Sequence, residues 1–523
     1  MGFYYLKRNH SSIKQKKIMH KDLEEYTEDD ELHYDLCIVG SGPAGCAIAK
    51  KFLGGKTRVL ILESGSLDPT YEHQLLNKGE SIGPRKLNLL DSRLRCFGGA
   101  GKLWAGMCRP MSAQDFKKRE YMDISGWAIS EEHLENYYKE AADILGIEYE
   151  RFSDNSWSEG AAVATRFSNG GILAGRRYLR SEKRDLANTY QDVLFSHQYI
   201  DVITNATVVD LVQEGESIKE IEVKSLLNKS KVVKAKIFIL CAGALENPRI
   251  LLNSSVDQRL RKNKYLGKCF MSHPAFTDVG KLILDGVEGE STEQVSKKQK
   301  DSFGFEVTEK EQDKSCILRH HISLKRITSK VVLSRLIKES RASFSDVIGN
   351  LKILDILSKY KSLLKEVVFS GHMVFNLDVG IEQEPRLVNR VQLSKSKDIH
   401  GKHTLEVFWD SISEIERKTV LEAIKAVGRQ AMISETGVGN ISPSVINHKA
   451  FLREDAINHH IGTTRMASDE GEGVVDSNLK CFGLNNLYIS GSSIFPTSSI
   501  VNPTFTIIAL SLRLGDHVLH KLK

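Results

Sequence analysis

The sequence has no charge-free apolar run of about 18 residues, which rules out a membrane-spanning helix. It contains no CxxC pair and no CxxCH, so the common zinc and c-type haem arrangements are missing and no metal is expected. Its eight cysteines (Cys37, Cys46, Cys96, Cys108, Cys241, Cys269, Cys316 and Cys481) are scattered, the distribution of reduced thiols rather than of a disulfide framework. Basic clusters interleaved with stacking aromatics are absent too. The net charge is only +6 over 523 residues, so nothing favours nucleic acid as a partner. The first 35 residues lack the apolar stretch of a signal peptide, and Leu6 stands where a myristoylation start needs Ser or Thr. These absences lead us to expect a cytoplasmic protein with a loose tail over 1–34.

What is present suits a soluble enzyme of two or three folding units: 41% hydrophobic residues and 39 glycines over a chain long enough for a sizeable core. "DLCIVG" (Asp35–Gly40) and "TRVLILE" (Thr57–Glu63) are short apolar runs, hence buried strands, with a helical segment between them. Two later segments, "KIFILCAGALENPRILLNS" and "NLYISGSSIFPTSSIVNPTFTIIALSLRL", repeat the order strand, glycine, helix. Three such units so far apart predict one sheet assembled from distant pieces. The expected fold class is α/β: a doubly wound, Rossmann-like domain over 35–120, 195–274 and 455–523, with an inserted α+β substrate domain over 121–194 and 275–454. A helical insertion is expected near 325–370. There, Asn350–Phe369 has apolar residues at helical spacing between lysines. That pattern suits an ordinary half-buried helix, and less simply a membrane-surface or partner-docking one.

"GSGPAG" (Gly40–Gly45) fits G-x-G-x-x-G, a weak signal alone. Here it follows a strand and opens a helix, and Glu63 comes 18 residues after Gly45 at the end of the next strand. That context makes it a dinucleotide site. Gly40 permits the turn, Gly42 lets backbone approach a pyrophosphate, and Gly45 lets helix and strand pack closely. The helix N-terminus then faces the phosphates. A second glycine loop, "CFGGAGKLWAGMCRPM" (Cys96–Met111), could wrap a large planar ring. Spacing favours FAD over NAD without deciding between them.

The chain resembles the glucose-methanol-choline (GMC) oxidoreductases, FAD enzymes that oxidise alcohols and sugars. The residues that carry the resemblance are "GSGPAGCAIAKKF…VLILESG", "FGGAGKLWAGM", "NATVVDL", "ILCAGALENPRILLNS", "YLGKCFMSHP", "EQEPRLVNRVQLS" and "HHIGTTRM…NPT", in the family's order over nearly the whole chain. The C-terminal segment resembles the branch with pyranose oxidase-like and bacterial sugar dehydrogenase-like members. The resemblance implies a pyrophosphate turn at Gly40, Gly42 and Gly45, with Ser41, Pro43 and Ala44 beside it. It implies Glu63, with Ser64, at the adenosine ribose, Val208 at the adenine, and Gly99, Ala100 and Trp104 along the flavin. Ala242, Gly491, Ser492, Pro503 and Thr504 complete the expected lining. Several relatives attach FAD to a histidine where this chain has Leu103, so FAD is expected to be non-covalent. Many carry an aspartate where this chain has Gly491.

"NHHIGTTRM" (Asn458–Met466) offers two adjacent histidines. Hydride removal from an alcohol needs the hydroxyl proton to leave, a task for a positioned imidazole. Neighbours in extended backbone point to opposite faces, so only one ring should aim at the substrate. Composition alone leaves a structural histidine as an equal reading. The family's spacing of His, two residues, then Gly-Thr selects His459 as the base, with His460 lining the pocket. Its partner would be Asn502, which before Pro503 also reads as a plain helix cap. The leading expectation is FAD-dependent oxidation of a small-molecule alcohol, sugar or polyol. The electron acceptor is left open among oxygen, a quinone and an electron-transfer protein. The rivals are a hydroxynitrile-lyase-like enzyme on the same scaffold and a docking protein with structural FAD.

Overall fold

The computed structural model describes residues 20–153, 171–284, 301–327, 373–452 and 455–523. The predicted helical insertion near 325–370 falls almost wholly outside them. Only its first three residues are described, the first two of them within the strand His320–Arg326.

The first sheet is built as the three glycine-ended segments predict. Its strands lie in the order His20–Asp22, Ile200–Thr204, Val59–Leu62, Leu32–Val39, Ser230–Leu240, Ser217–Lys224 and Thr207–Glu214, and Leu487–Ile489 pairs the carboxyl half of Ser230–Leu240. The five strands from Ile200–Thr204 to Leu487–Ile489 run parallel. Strands buried on both faces read as continuous apolar runs, as Val59–Leu62 does with all four residues buried. From Leu32–Val39 the chain moves to Val59–Leu62 on one side, while Ser230–Leu240 flanks the other. That reversal opens a crevice at the carboxyl ends of the strands.

The second sheet is mostly antiparallel, in the order Gly437–Ile441, Met271–Leu284, Met373–Ile381, His320–Arg326, Ser302–Val307, Leu173–Arg180 and Met107–Cys108. Asp455–Ile461 also pairs Met271–Leu284, which carries the second sheet up to the crevice of the first. The long helix Glu414–Ile433 packs on it over a separate apolar core of Phe276, Phe305, Phe375 and Val420. A third sheet of Arg390–Lys397, His403–Phe408 and Gly79–Ile82 closes around Trp409.

Three boundaries differ from the sequence reading. Residues 20–34 are ordered: His20–Asp22 pairs Val202–Thr204, and the His20 ring stacks on Phe195 with centroids 4.7 Å apart. The helices Glu135–Leu145 and Leu186–Ser196, placed by sequence with the substrate region, pack in the core of the first sheet through Tyr138, Leu145 and Leu194. Gly79–Ile82 leaves the first region to pair with His403–Phe408. Short segments bury their apolar faces wherever a partner surface is free, and chain order does not reveal which surface that is. None of the eight cysteines is disulfide-bonded, and no helix among the described residues is long and apolar enough to cross a membrane.

Candidate active site

A cavity of 560 Å³ occupies the crevice. The carboxyl ends of four parallel strands line it with Gly40, Glu63, Ala242 and Gly491. The three glycines of the first turn differ in what surrounds them. Gly40 has φ +103°, a conformation that suits glycine, and a Cβ there would lie 2.7 Å from the Cys241 carbonyl oxygen. A Cβ on Gly45 would fall on the carbonyl oxygen of Gly40, so strand and helix meet there without room for a side chain. A Cβ on Gly42 would meet nothing within 4 Å, because that face opens to the cavity. The same is true at Gly491.

Three helices begin at the cavity wall: Pro43–Lys50 at Gly42, Gly243–Asn253 at Ala242 and Pro503–Lys521 at Asn502. None has a side-chain cap. Asn502 occupies the N-cap position, but its amide is not used as a cap, which departs from the simple capping expectation. The free N–H groups and positive ends of these helices favour negative charge in the cavity. Bare glycine faces, uncapped helix starts and a carboxylate at the next strand end fit a dinucleotide cofactor.

Of the residues expected around the cofactor, Pro43, Ala44, Glu63, Ser64, Gly99, Ala100, Leu103, Trp104, Val208, Ala242, Ser492, Pro503 and Thr504 all line this cavity, as do Gly40, Gly42 and Gly491. Ser41 and Gly45 lie behind the lining. The buried Ser41 Oγ donates to Glu63 Oε2 at 2.5 Å and accepts the Gly98 N–H at 3.0 Å, which ties the two glycine loops together. Glu63 also accepts the Gly65 N–H at 2.8 Å. Trp104 donates its indole N–H to the Arg184 carbonyl. Leu103 is 62% exposed.

Both histidines line the cavity, His460 as the expected lining residue beside His459. The strand Asp455–Ile461 pairs Ile461 with Met271 and Ile457 with His273. Four steps on one strand thus match two on the other, and the bulge holds Asn458, His459 and His460. A bulge breaks strict alternation and re-aims side chains. The following turn fixes its position. Gly462, at φ +95°, passes so close to Cys269 and Met271 that a Cβ would collide, and the Thr463 hydroxyl donates to the Ala244 carbonyl at 2.6 Å.

The two rings have different surroundings. His459 Nδ1 lies 2.9 Å from His273 Nδ1, with the ring planes nearly perpendicular. Although part of its surface opens to the cavity, surrounding protein holds its pKa well below the usual value, and His273 and His460 add to the shift. His460 packs toward Phe270, its Nε2 is buried without a hydrogen bond, and burial with the Arg93 charge nearby pushes its pKa down to about 3. Both rings are therefore neutral at physiological pH, as an acceptor of protons must be.

The sequence reading missed one wall. Arg93, Arg95, Asn77 and Glu246 also line the cavity. The Glu246 carboxylate sits among Arg93, Arg95 and Arg249, which hold its pKa far below the usual range despite burial. Its signal was a glutamate just after a strand-glycine turn, with two arginines immediately before the second glycine loop. Among the described residues no cluster of His, Cys, Asp and Glu could hold a metal ion.

A nucleotide site at the switch point of a doubly wound sheet, reached by histidine from a second sheet, defines a class of nucleotide-cofactor oxidoreductases. The models of both GMC oxidoreductase domains match, the N-terminal one over 97–275 and the C-terminal one over 385–511, so the chain belongs to the GMC oxidoreductase family. It is similar to 2-methyl-1,2-propanediol dehydrogenase of Mycolicibacterium austroafricanum, 22% identical over 92% of this chain and 95% of that one. It is also similar to the fructose dehydrogenase large subunit of Gluconobacter japonicus, 24% identical over 62% of this chain and 54% of that one. Among solved structures, pyridoxine 4-oxidase from Mesorbium loti superposes with a TM-score of 0.58 at 16% identity, over 93% of this chain and 99% of that chain. The protein is an FAD-binding oxidoreductase acting on CH–OH donors.

Proposed function

We propose that this protein oxidises a small alcohol, sugar or polyol with His459 as the general base and Asn502 as the residue that orients the hydroxyl. The reading is carried by one observation: His459 and Asn502, from separate segments, line the same cavity as Gly42 and Glu63. FAD held there would supply the two-electron acceptor for the substrate's hydride. The protein's own part is to hold the alcohol, take its proton and exclude water. His459 is neutral and partly buried, so it can accept the hydroxyl proton. The Asn502 amide, free of capping duty, can both donate to and accept from the hydroxyl. Gly42 and the start of Pro43–Lys50 would carry the pyrophosphate, Glu63 the ribose, and Val208 the adenine.

We take FAD to be non-covalent, because Leu103 has no nucleophilic nitrogen. Acid precipitation should therefore release the flavin into the supernatant, and yellow colour retained in the pellet would overturn this. Relatives acting on a diol and on a ketose support a small polar substrate. Unpaired, mostly buried cysteines support a reducing, cytoplasmic compartment. The functional test is anaerobic mixing with candidate alcohols and sugars. Flavin bleaching is expected with the true substrate, and admission of oxygen then separates oxygen from a quinone or protein acceptor. Turnover of a substrate without bleaching would favour the lyase-like reading.

A further inference from the structure

His273 lies on the strand Met271–Leu284, only 2% exposed, behind the cavity wall. Its Nε2 is 3.1 Å from the Ser498 carbonyl oxygen, and its Nδ1 is 2.9 Å from His459 Nδ1. A carbonyl can only accept, so His273 must carry a proton on Nε2. Burial lowers the His273 pKa, so the ring is neutral and holds that one proton alone. Its Nδ1 is then a bare lone pair. Two lone pairs cannot hold each other at hydrogen-bond distance, so the proton between the rings belongs to His459 Nδ1. His459 is also neutral, which leaves its Nε2 unprotonated.

From this chain of bonds we propose that His273 is a positioning residue that fixes His459 with its proton on Nδ1, so that Nε2 presents the lone pair that takes the substrate hydroxyl proton. The proposal rests on the reading of His459 as base. In the step itself the O–H bond breaks and an N–H bond forms at Nε2. His459 then carries the positive charge, and its Nδ1–H bond to His273 becomes charge-assisted and stronger. The chain ends at a carbonyl that cannot take a proton, so the charge stays on the histidine pair and is not relayed away.

The same contact fixes distance as well as tautomer. Ser498 belongs to the loop that leads to Asn502. Its carbonyl is held by His273, its hydroxyl accepts the Gln383 N–H at 3.1 Å, and Ser499, at φ +52°, donates its N–H to Glu382. Glu382 is itself gripped bidentately by Arg119. His273 therefore bridges the strand that carries the base and the loop that carries its partner. Without it, His459 could turn over to the tautomer with the proton on Nε2, which donates where it should accept.

Three variants and one spectrum test the proposal on the FAD-loaded protein. In His273→Asn the side-chain oxygen can replace Nδ1 as the acceptor for His459, and flavin reduction should stay within about tenfold of the parent. In His273→Gln the amide can still reach Ser498 but offers His459 no acceptor, and in His273→Leu both contacts are lost. Reduction should fall by at least about 10² in both, the scale of losing a correctly protonated base. Nitrogen-15 spectra of histidine-labelled protein, assigned with His459→Ala, should show an unprotonated Nε2 on His459 in the parent and a protonated one in His273→Gln. A parent spectrum with the proton on Nε2 overturns the proposal, even where His273→Leu fails to fold, as does unchanged reduction in His273→Gln. If His459→Ala reduces its flavin normally, the base assignment itself fails. If His459→Ala is inactive while His273→Gln and His273→Leu reduce normally, only the role of His273 fails.

Discussion

At the crevice of the first sheet, three helices present their N-termini to the cavity with no side-chain cap, whereas the long helix of the second sheet is closed by a capping box between Ser413 and Glu416. Charges follow the same division. In the second region Arg119 meets Glu382 bidentately at 2.5 and 2.7 Å, and Arg319 contacts both Asp115 and Glu306, all of them nearly free of solvent. Facing the cavity, His460 Nε2 has no partner, and the Asn502 amide makes no cap. A buried polar group without a partner costs free energy, so its persistence calls for a ligand, while a paired one is accounted for by the fold. At these positions the cavity keeps His460 Nε2 and the helix starts open to a guest, whereas the Arg119–Glu382 and Arg319 pairs hold the second region together.

The comparison predicts opposite failures. His459→Ala should slow anaerobic flavin reduction by about 10²–10⁴ while leaving the melting temperature near that of the parent. Equal losses of rate and stability would mean that His459 belongs with the structural polarity. Arg119→Met should do the reverse, leaving the Glu382 charge buried without its partner and destabilising the fold by about 3–5 kcal/mol. The double variant Arg119→Met, Glu382→Leu should recover much of that loss in thermal unfolding. A single variant as stable as the parent would show that Glu382 is neutral or otherwise paired.

The division was only partly legible in the sequence. The spacing within "GSGPAG" and the distance to Glu63 are local, so the nucleotide turn could be read directly, as could the strand-glycine-helix units that meet in the first sheet. The choice of His459 as candidate base came from the family's His-to-Gly-Thr spacing, a register that Gly462 and Thr463 hold through a close approach and an anchor. His273 did not follow. It touches His459 from 186 positions away, through a bulge that no periodicity announces. The same bulge brings both His459 and His460 to the cavity wall, His460 as the expected lining residue, where strict alternation would have set them on opposite faces. His20–Asp22 and the helix Glu135–Leu145 were misplaced for a related reason: a three-residue strand or a single amphipathic helix carries no label for the surface it will cover.

Two glycines three residues apart, Gly42 and Gly45, sharpen the comparison at finer scale. Gly42→Ala adds a methyl group to an open cavity face, so the flavin-free protein should melt as the parent does while FAD binds at least about tenfold more weakly, measured by titration. Gly45→Ala places the methyl group on the Gly40 carbonyl, and its flavin-free form should lose about 1–3 kcal/mol. If Gly42→Ala destabilised the apoprotein as much as Gly45→Ala, the open face would be part of the fold rather than of the ligand site.

The capping box adds a pH-dependent effect. Glu416 is fully buried and accepts the backbone N–H groups of Ser413 and Glu384 at 3.0 Å each, yet burial raises its pKa to about 7, with Arg85 and the backbone bonds opposing the shift. The folded protein thus keeps a proton that the unfolded chain, near the ordinary carboxylate value, has already released. Between roughly pH 4.5 and 7 the native state binds more protons, so this group's stabilising contribution is complete below that window and is lost as pH rises through it. Glu416→Gln removes the titration. The difference in unfolding free energy between parent and variant should drift by up to about 3 kcal/mol across the window, with the parent losing ground as pH rises. A drift of the opposite sign would mean that the carboxylate is held ionised by its arginine neighbours, which would make the capping box one more paired charge of the second region.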